Sequence, residues 1–88
     1  MEEMVFLFVL DRGFVVVGRA AIDAELAFHW RVRGRTVRRW GTTDGLSQLC
    51  GGPLEATVLD PVCWRRVPFR SVIEILEVEE SKWKSHIS

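Results

Sequence analysis

Residues 29–46 read HWRVRGRTVRRWGTTDGL, with five arginines in the first eleven positions and no acid before Asp44. From Ala27 to Arg33 the residues alternate. Phe28, Trp30 and Val32 share one face of a strand, and His29, Arg31 and Arg33 share the other. Gly34-Arg35 has turn character. Thr36 to Trp40 then reads as a return strand, with Val37 and Arg39 on one face and Arg38 and Trp40 on the other. The stretch predicts a hairpin that is apolar on one face, with arginines on the opposite face and at the tip. Beyond it, GTTDGLSQLCGG (41–52) changes character. Thr43 or Asp44 is placed to N-cap a short helix, α or 3-10, that buries Leu46 and Leu49. Gly51-Gly52-Pro53 ends it.

Upstream, Met4 to Leu10 is a short unbroken apolar run. That suits a strand covered on both faces better than a helix. Asp11-Arg12-Gly13 is a tight turn, and Phe14 to Ala20 (FVVVGRA) is the strand that pairs back. Gly18 inside it signals a bend or a close backbone approach. Downstream, Glu55 to Asp60, Cys63 to Val67 and Ser71 to Val78 read as three more strands. Pro68 confines the middle one to an edge or an end. Residues 1–80 form a single β-rich domain, and 81–88 read as a polar tail from which only Trp83 would tuck back. The expectation is a mainly β fold of about six strands with one short helix, either a small bent sheet or an SH3-like or OB-like barrel.

At 88 residues the chain is one domain with a thin core, to which four Trp and five Phe contribute large apolar area. An oligomer interface would supplement it. Twelve basic and twelve acidic residues cancel, which counts against a dedicated nonspecific nucleic-acid binder. The distribution is uneven. Residues 31–70 carry eight Arg against three acids, a surplus of five. Residues 1–30 carry two Arg against five acids, and 71–88 two Lys against four acids. Two cysteines are too few to staple a secreted domain of this size. The acidic start and the seven-residue apolar run fit neither a signal peptide nor a membrane span. The chain reads as cytoplasmic, with reduced thiols.

Catalytic constellations are missing from the pattern. His29, Cys50, Cys63 and His86 have no metal-ligand spacing, and structural cysteines with surface histidines account for them. GTTDGL lacks the phosphate-loop pattern and reads as turn chemistry. Glu74, Glu77, Glu79 and Glu80 read as a solvated edge that discourages aggregation. No enzyme activity, cofactor or metal is expected. The arginines remain. The candidate binding residues are Arg31, Arg33, Arg38, Arg39, Trp40, Thr42, Thr43, Asp44, Arg65 and Arg66. The leading expectation is a protein–protein interaction module, docking on a partner or on itself as a homo-oligomer, with arginine stems covering apolar surface and pairing with the C-terminal glutamates. The alternative is a nucleic-acid binder using an Arg/Trp-rich hairpin face.

The blocks LDRGFVVVGR, RRWGTTDGL, GPLEATVLDP and VPFRSVIEILEVEESKW resemble a family of short phage and prophage proteins that carries no assigned activity. The likeness runs from Asp11 to Trp83 and skips GRAAIDAELAFHWRVRG, so it lends nothing to the arginines before Arg38. It implies context only: a phage-encoded accessory protein acting in the bacterial cytoplasm, or a small virion part. Within the opening stretch it favours 38–46 over the arginine-rich tip.

Overall fold

The apolar run Met4–Leu10 is a central strand, and both its faces are covered. In the computed structural model, which describes residues 3–88, strand β1 (Met4–Leu10) lies between β2 (Val15–Ile22) and β6 (Val72–Glu77). Met1 and Glu2, where the acidic start was read, lie outside the described residues. The turn Asp11–Gly13 joins β1 to β2, with Arg12 and Gly13 at positive φ and Leu10 N–H bonded to Phe14 O at 2.7 Å. On one face of the sheet stand Val5, Leu7 and Val9; on the other stand Phe6, Phe8 and Leu10. Such a strand needs no polar alternation, which is why its sequence shows none.

The predicted hairpin at 29–40 does not form. Residues 29–39 are one continuous strand, β3 (His29–Arg39), paired with β2 from Trp30 to Thr36. Gly34 is not a turn residue. It sits directly opposite Gly18, and the two backbones approach so closely that a Cβ on Gly18 would lie 2.6 Å from Arg33 O and 2.8 Å from Gly34 Cα. The pair of glycines lets β2 and β3 bend together without side chains on that face. A glycine that signals a turn in sequence here signals a close approach. The other edge of β3 is shared. β5 (Cys63–Pro68) pairs with residues 29–34, and the two-residue β4 (Val58–Leu59) pairs with Val37 and Arg39. The strand expected over 55–60 is reduced to β4.

All pairings are antiparallel, and the order across the sheet is β4/β5, β3, β2, β1, β6. A 3-10 turn, Phe69–Ser71, carries the chain from β5 on one edge to β6 on the other. Four residue steps reach at most ~14 Å, whereas the edges of a flat five-strand sheet stand ~19 Å apart. The sheet therefore curls. Inside the curl, Val67 from one edge and Val72 from the other pack with Phe8, Val16, Ala20, Val32 and Trp30. Trp30 meets Phe6, Phe8 and Phe69 at ring-centroid distances of 6.1, 5.6 and 5.7 Å. β5 and β6 do not pair, so the fold is a bent open sheet and the barrel alternative does not hold.

The stretch 81–88 is not a tail. Helix α1 (Glu80–Ile87) packs on the outer face of the curl. Trp83 and Ile87, four apart, fall on one side of it. With Leu49 they cover Val5, Leu7, Val15, Val17 and Val37. Trp83 is wholly buried and donates Nε1–H to Leu49 O at 2.8 Å. Burying these large side chains contributes roughly 1.5–3 kcal/mol each. Glu80 in the first turn and Lys84 and His86 in the last suit the helix dipole. The helix expected after Asp44 is a 3-10 segment, Leu46–Gly51. Thr43 and Asp44 do not cap it. Instead Gln48 Oε1 reaches back and accepts from Thr43 N at 2.9 Å and Asp44 N at 3.2 Å.

Candidate interaction face

Strand alternation and register assemble one basic face. Across β3 and β5, Arg31 stands opposite Arg66 and Arg33 opposite Trp64; across β2 and β3, Arg19 stands opposite Arg33. Directly opposite residues point to the same side. Arg19, Arg31, Arg33, Trp64 and Arg66 thus share the outer face, beside the area that α1 covers. The Arg31 guanidinium carbon lies 4.5 Å from the Trp64 ring centroid, and that of Arg33 lies 5.8 Å away. Trp64 remains 49% exposed. A shallow groove of about 380 Å³ runs along Arg31, Trp64, Arg65 and Arg66.

The charges on this face differ in their partners. Arg66 Nε bonds Asp23 Oδ2 at 2.8 Å, and Arg66 lies 4.0 Å from Glu25. Arg19 pairs with Glu80 at 3.4 Å. Arg31 and Arg33 have no carboxylate partner among the described residues. Asp23, 2% exposed at its side chain, also accepts from Glu25 N and Leu26 N at 2.8 and 3.0 Å. These backbone donors, then the Arg66 guanidinium, outweigh desolvation and hold its carboxyl below the usual range. Asp23 pins the β2–β3 loop to the β5 edge.

The remaining candidates are scattered. Arg65 points to the inner face, where it donates to Thr36 Oγ1 at 2.6 Å, Gly34 O at 3.3 Å and Cys63 Sγ at 2.9 Å. It braces β5 against the bend in β3. Arg35, expected at a hairpin tip, lies mid-strand and donates to Asp60 O at 2.5 Å and His86 O at 3.1 Å, tying β3 to the end of α1. Arg38 pairs with Asp60 at 2.8 Å and borders a second groove of about 460 Å³ with Arg12, Phe14 and Trp40. Arg39 is exposed beside the irregularity where β3 meets β4. Thr42, Thr43 and Asp44 lie in the following loop, away from β5. The structure thus joins Arg31, Arg33 and Arg66 and separates them from 38–44. Trp64, Arg19 and Asp23 were not among the sequence candidates. The alternation in CWRRVP carries the signal for Trp64, since it puts Trp64 and Arg66 on one side.

A third feature lies at the corner of the curl. Phe28 has φ +66° and is 74% exposed, edge-on to Phe69 at 6.4 Å. An aromatic held in the left-handed region is uncommon; here Phe28 O accepts from Phe69 N at 2.8 Å. Burial pushes the Cys50 thiol up, away from the thiolate that nucleophilic chemistry uses. Among the described residues no three His, Cys, Asp or Glu side chains gather to hold a metal ion, and no helix is long and apolar enough to cross a membrane. No family model, curated protein or solved structure matches the chain.

Proposed function

We propose that the chain is a non-enzymatic interaction module that docks on protein, with further copies of itself among the candidate partners. One observation carries the reading: among the described residues the sheet ends in β4 and β5 on one side and β6 on the other, none paired on its outer side, and exposed apolar side chains stand at both edges. Trp64 lies on one edge; Ile73, 68% exposed, and Ile75 lie on the other. Phe28 marks the corner between them. An open edge offers backbone donors and acceptors to an added strand, and neighbouring apolar side chains give that strand something to bury. A phage or prophage context, in the host cytoplasm or in the virion, is proposed only as what the resemblance of the blocks between Asp11 and Trp83 implies. Sedimentation of the pure protein, with affinity capture from host extract, tests the reading. Self-association or a defined protein partner is expected. A chain that is monomeric at every concentration and captures no protein contradicts it.

A second reading has its own support. Arg31 and Arg33 lie on Trp64 and have no carboxylate partner among the described residues. Guanidiniums beside an aromatic platform suit the phosphates and bases of a single-stranded nucleic acid. The platform is a strand face of β3 and β5, not a hairpin.

A further inference from the structure

Among the described residues β5 and β6 lie on opposite edges of one sheet, each six residues long, and their surroundings carry opposite charge. Beside β5, Arg31 and Arg33 have no carboxylate partner among the described residues, Arg66 is paired with Asp23, and Arg70 follows in the turn; from 72 to 81 the chain holds Glu74, Glu77, Glu79 and Glu80 and no base. Glu74, Glu77 and Glu79 are exposed and have no ion-pair partner among the described residues. We infer that the partner of the docking reading is a second copy of this chain, joined head to tail through β5 of one copy and the outer edge of β6 of the next. The inference rests on that reading and narrows it.

Charge decides between the arrangements open to two copies. Pairing β5 with β5 brings the basic face of Arg31 and Arg33 in one copy toward that of the other, and pairing β6 with β6 sets glutamates against glutamates. Like charges opposite one another on neighbouring strands destabilise the pair, and unlike charges stabilise it. The acids that guard β6 against indiscriminate pairing therefore favour one occupant, the arginine-bearing edge of the same protein. The contact also covers apolar groups at both edges, Trp64 on β5 and Ile73 and Ile75 on β6. It is heterologous: each added copy leaves one free β5 and one free β6, so assembly continues until a ring closes or extends as a chain.

The test uses the full chain and the variant Glu74→Arg with Glu77→Arg. Both side chains are exposed, and an unchanged urea midpoint establishes that the variant is folded. Sedimentation velocity of the wild type at low salt is expected to show species larger than a monomer that grow with concentration and dissociate as salt screens the contact. The variant alone is expected to be monomeric. Added below equimolar amount, it is expected to shorten the wild-type assemblies, because its β5 edge still docks while its reversed β6 edge accepts nothing. A variant that assembles as the wild type does, or wild-type assemblies indifferent to salt, overturns the head-to-tail contact and leaves the docking reading standing. A wild type that is monomeric throughout overturns the inference; the docking reading then stands or falls on capture of a different, defined protein.

Discussion

Arg31 lies over Trp64 across the β3–β5 pair, with its guanidinium carbon 4.5 Å from the ring centroid. The contact is half open to water, so its worth to folding is small, about 0.5–1 kcal/mol for an exposed cation–π pair. Its worth to binding is a separate matter. If this face takes single-stranded nucleic acid, Arg31→Ala with Arg33→Ala weakens binding to all sequences alike and reduces its salt dependence. Trp64→Ala also weakens it, through lost stacking of about 1–3 kcal/mol per base. Fluorescence anisotropy with labelled oligonucleotides at low salt checks this. No binding by the wild type at low salt ends the nucleic-acid reading.

Gly34→Ala is expected to destabilise the fold by ~1–3 kcal/mol or more, because the new Cβ meets Val17 O and Gly18 Cα of the paired strand. Neither is the end of a flexible side chain. Urea unfolding should show a lower midpoint with little change in slope.

Trp83→Ala removes the largest side chain of the outer core and is expected to cost about 3–5 kcal/mol. Trp83→Phe keeps most of the apolar contact and removes one of the two donors to Leu49 O, which still accepts from Gly52 N at 3.1 Å, so the lost hydrogen bond is expected to cost about 0.5–1.5 kcal/mol. Denaturant titration of both variants checks the order. Equal stability to wild type would mean that α1 does not close the outer face.

How far these features were legible in the sequence depends on how many residues carried each signal. The unbroken run of β1 and the paired run of β2 told of a central hairpin, and Pro68 told of an edge. The alternation of 29–39 is visible too, yet Gly34 reads as a turn because nothing local reveals that Gly18 stands opposite. That pairing is tertiary. Helix α1 offered two apolar residues, Trp83 and Ile87, among polar ones, too few to distinguish a docked helix from a tail. The arginines were legible as a group, but their separation into Arg31, Arg33 and Arg66 on one face, Arg65 on the other and Arg38 by Asp60 followed from the β3–β5 register, which no single stretch encodes.

Asp23 links pH to stability. Its carboxyl is held below the ordinary range by the Glu25 and Leu26 N–H groups and then by Arg66. A group whose folded pKa is depressed adds stability above its unfolded pKa of about 4, and that stability is lost as pH falls through the folded value. Asp23→Asn should therefore lower stability at neutral pH and flatten its decline below about pH 4. Urea midpoints measured from neutral pH down into acid check this. An unchanged slope in the variant would remove Asp23 from the account.

The central claim is that β5 and β6 are open edges built to be covered together. Amide hydrogen exchange of the wild type, compared at low and high protein concentration in low salt, tests it at the residues concerned. The account predicts that amides within 63–68 and within 72–77 gain protection together as concentration rises, while those of β1, β2 and β3 stay as they are. No concentration-dependent protection at either strand, or protection confined to one of them, would contradict it.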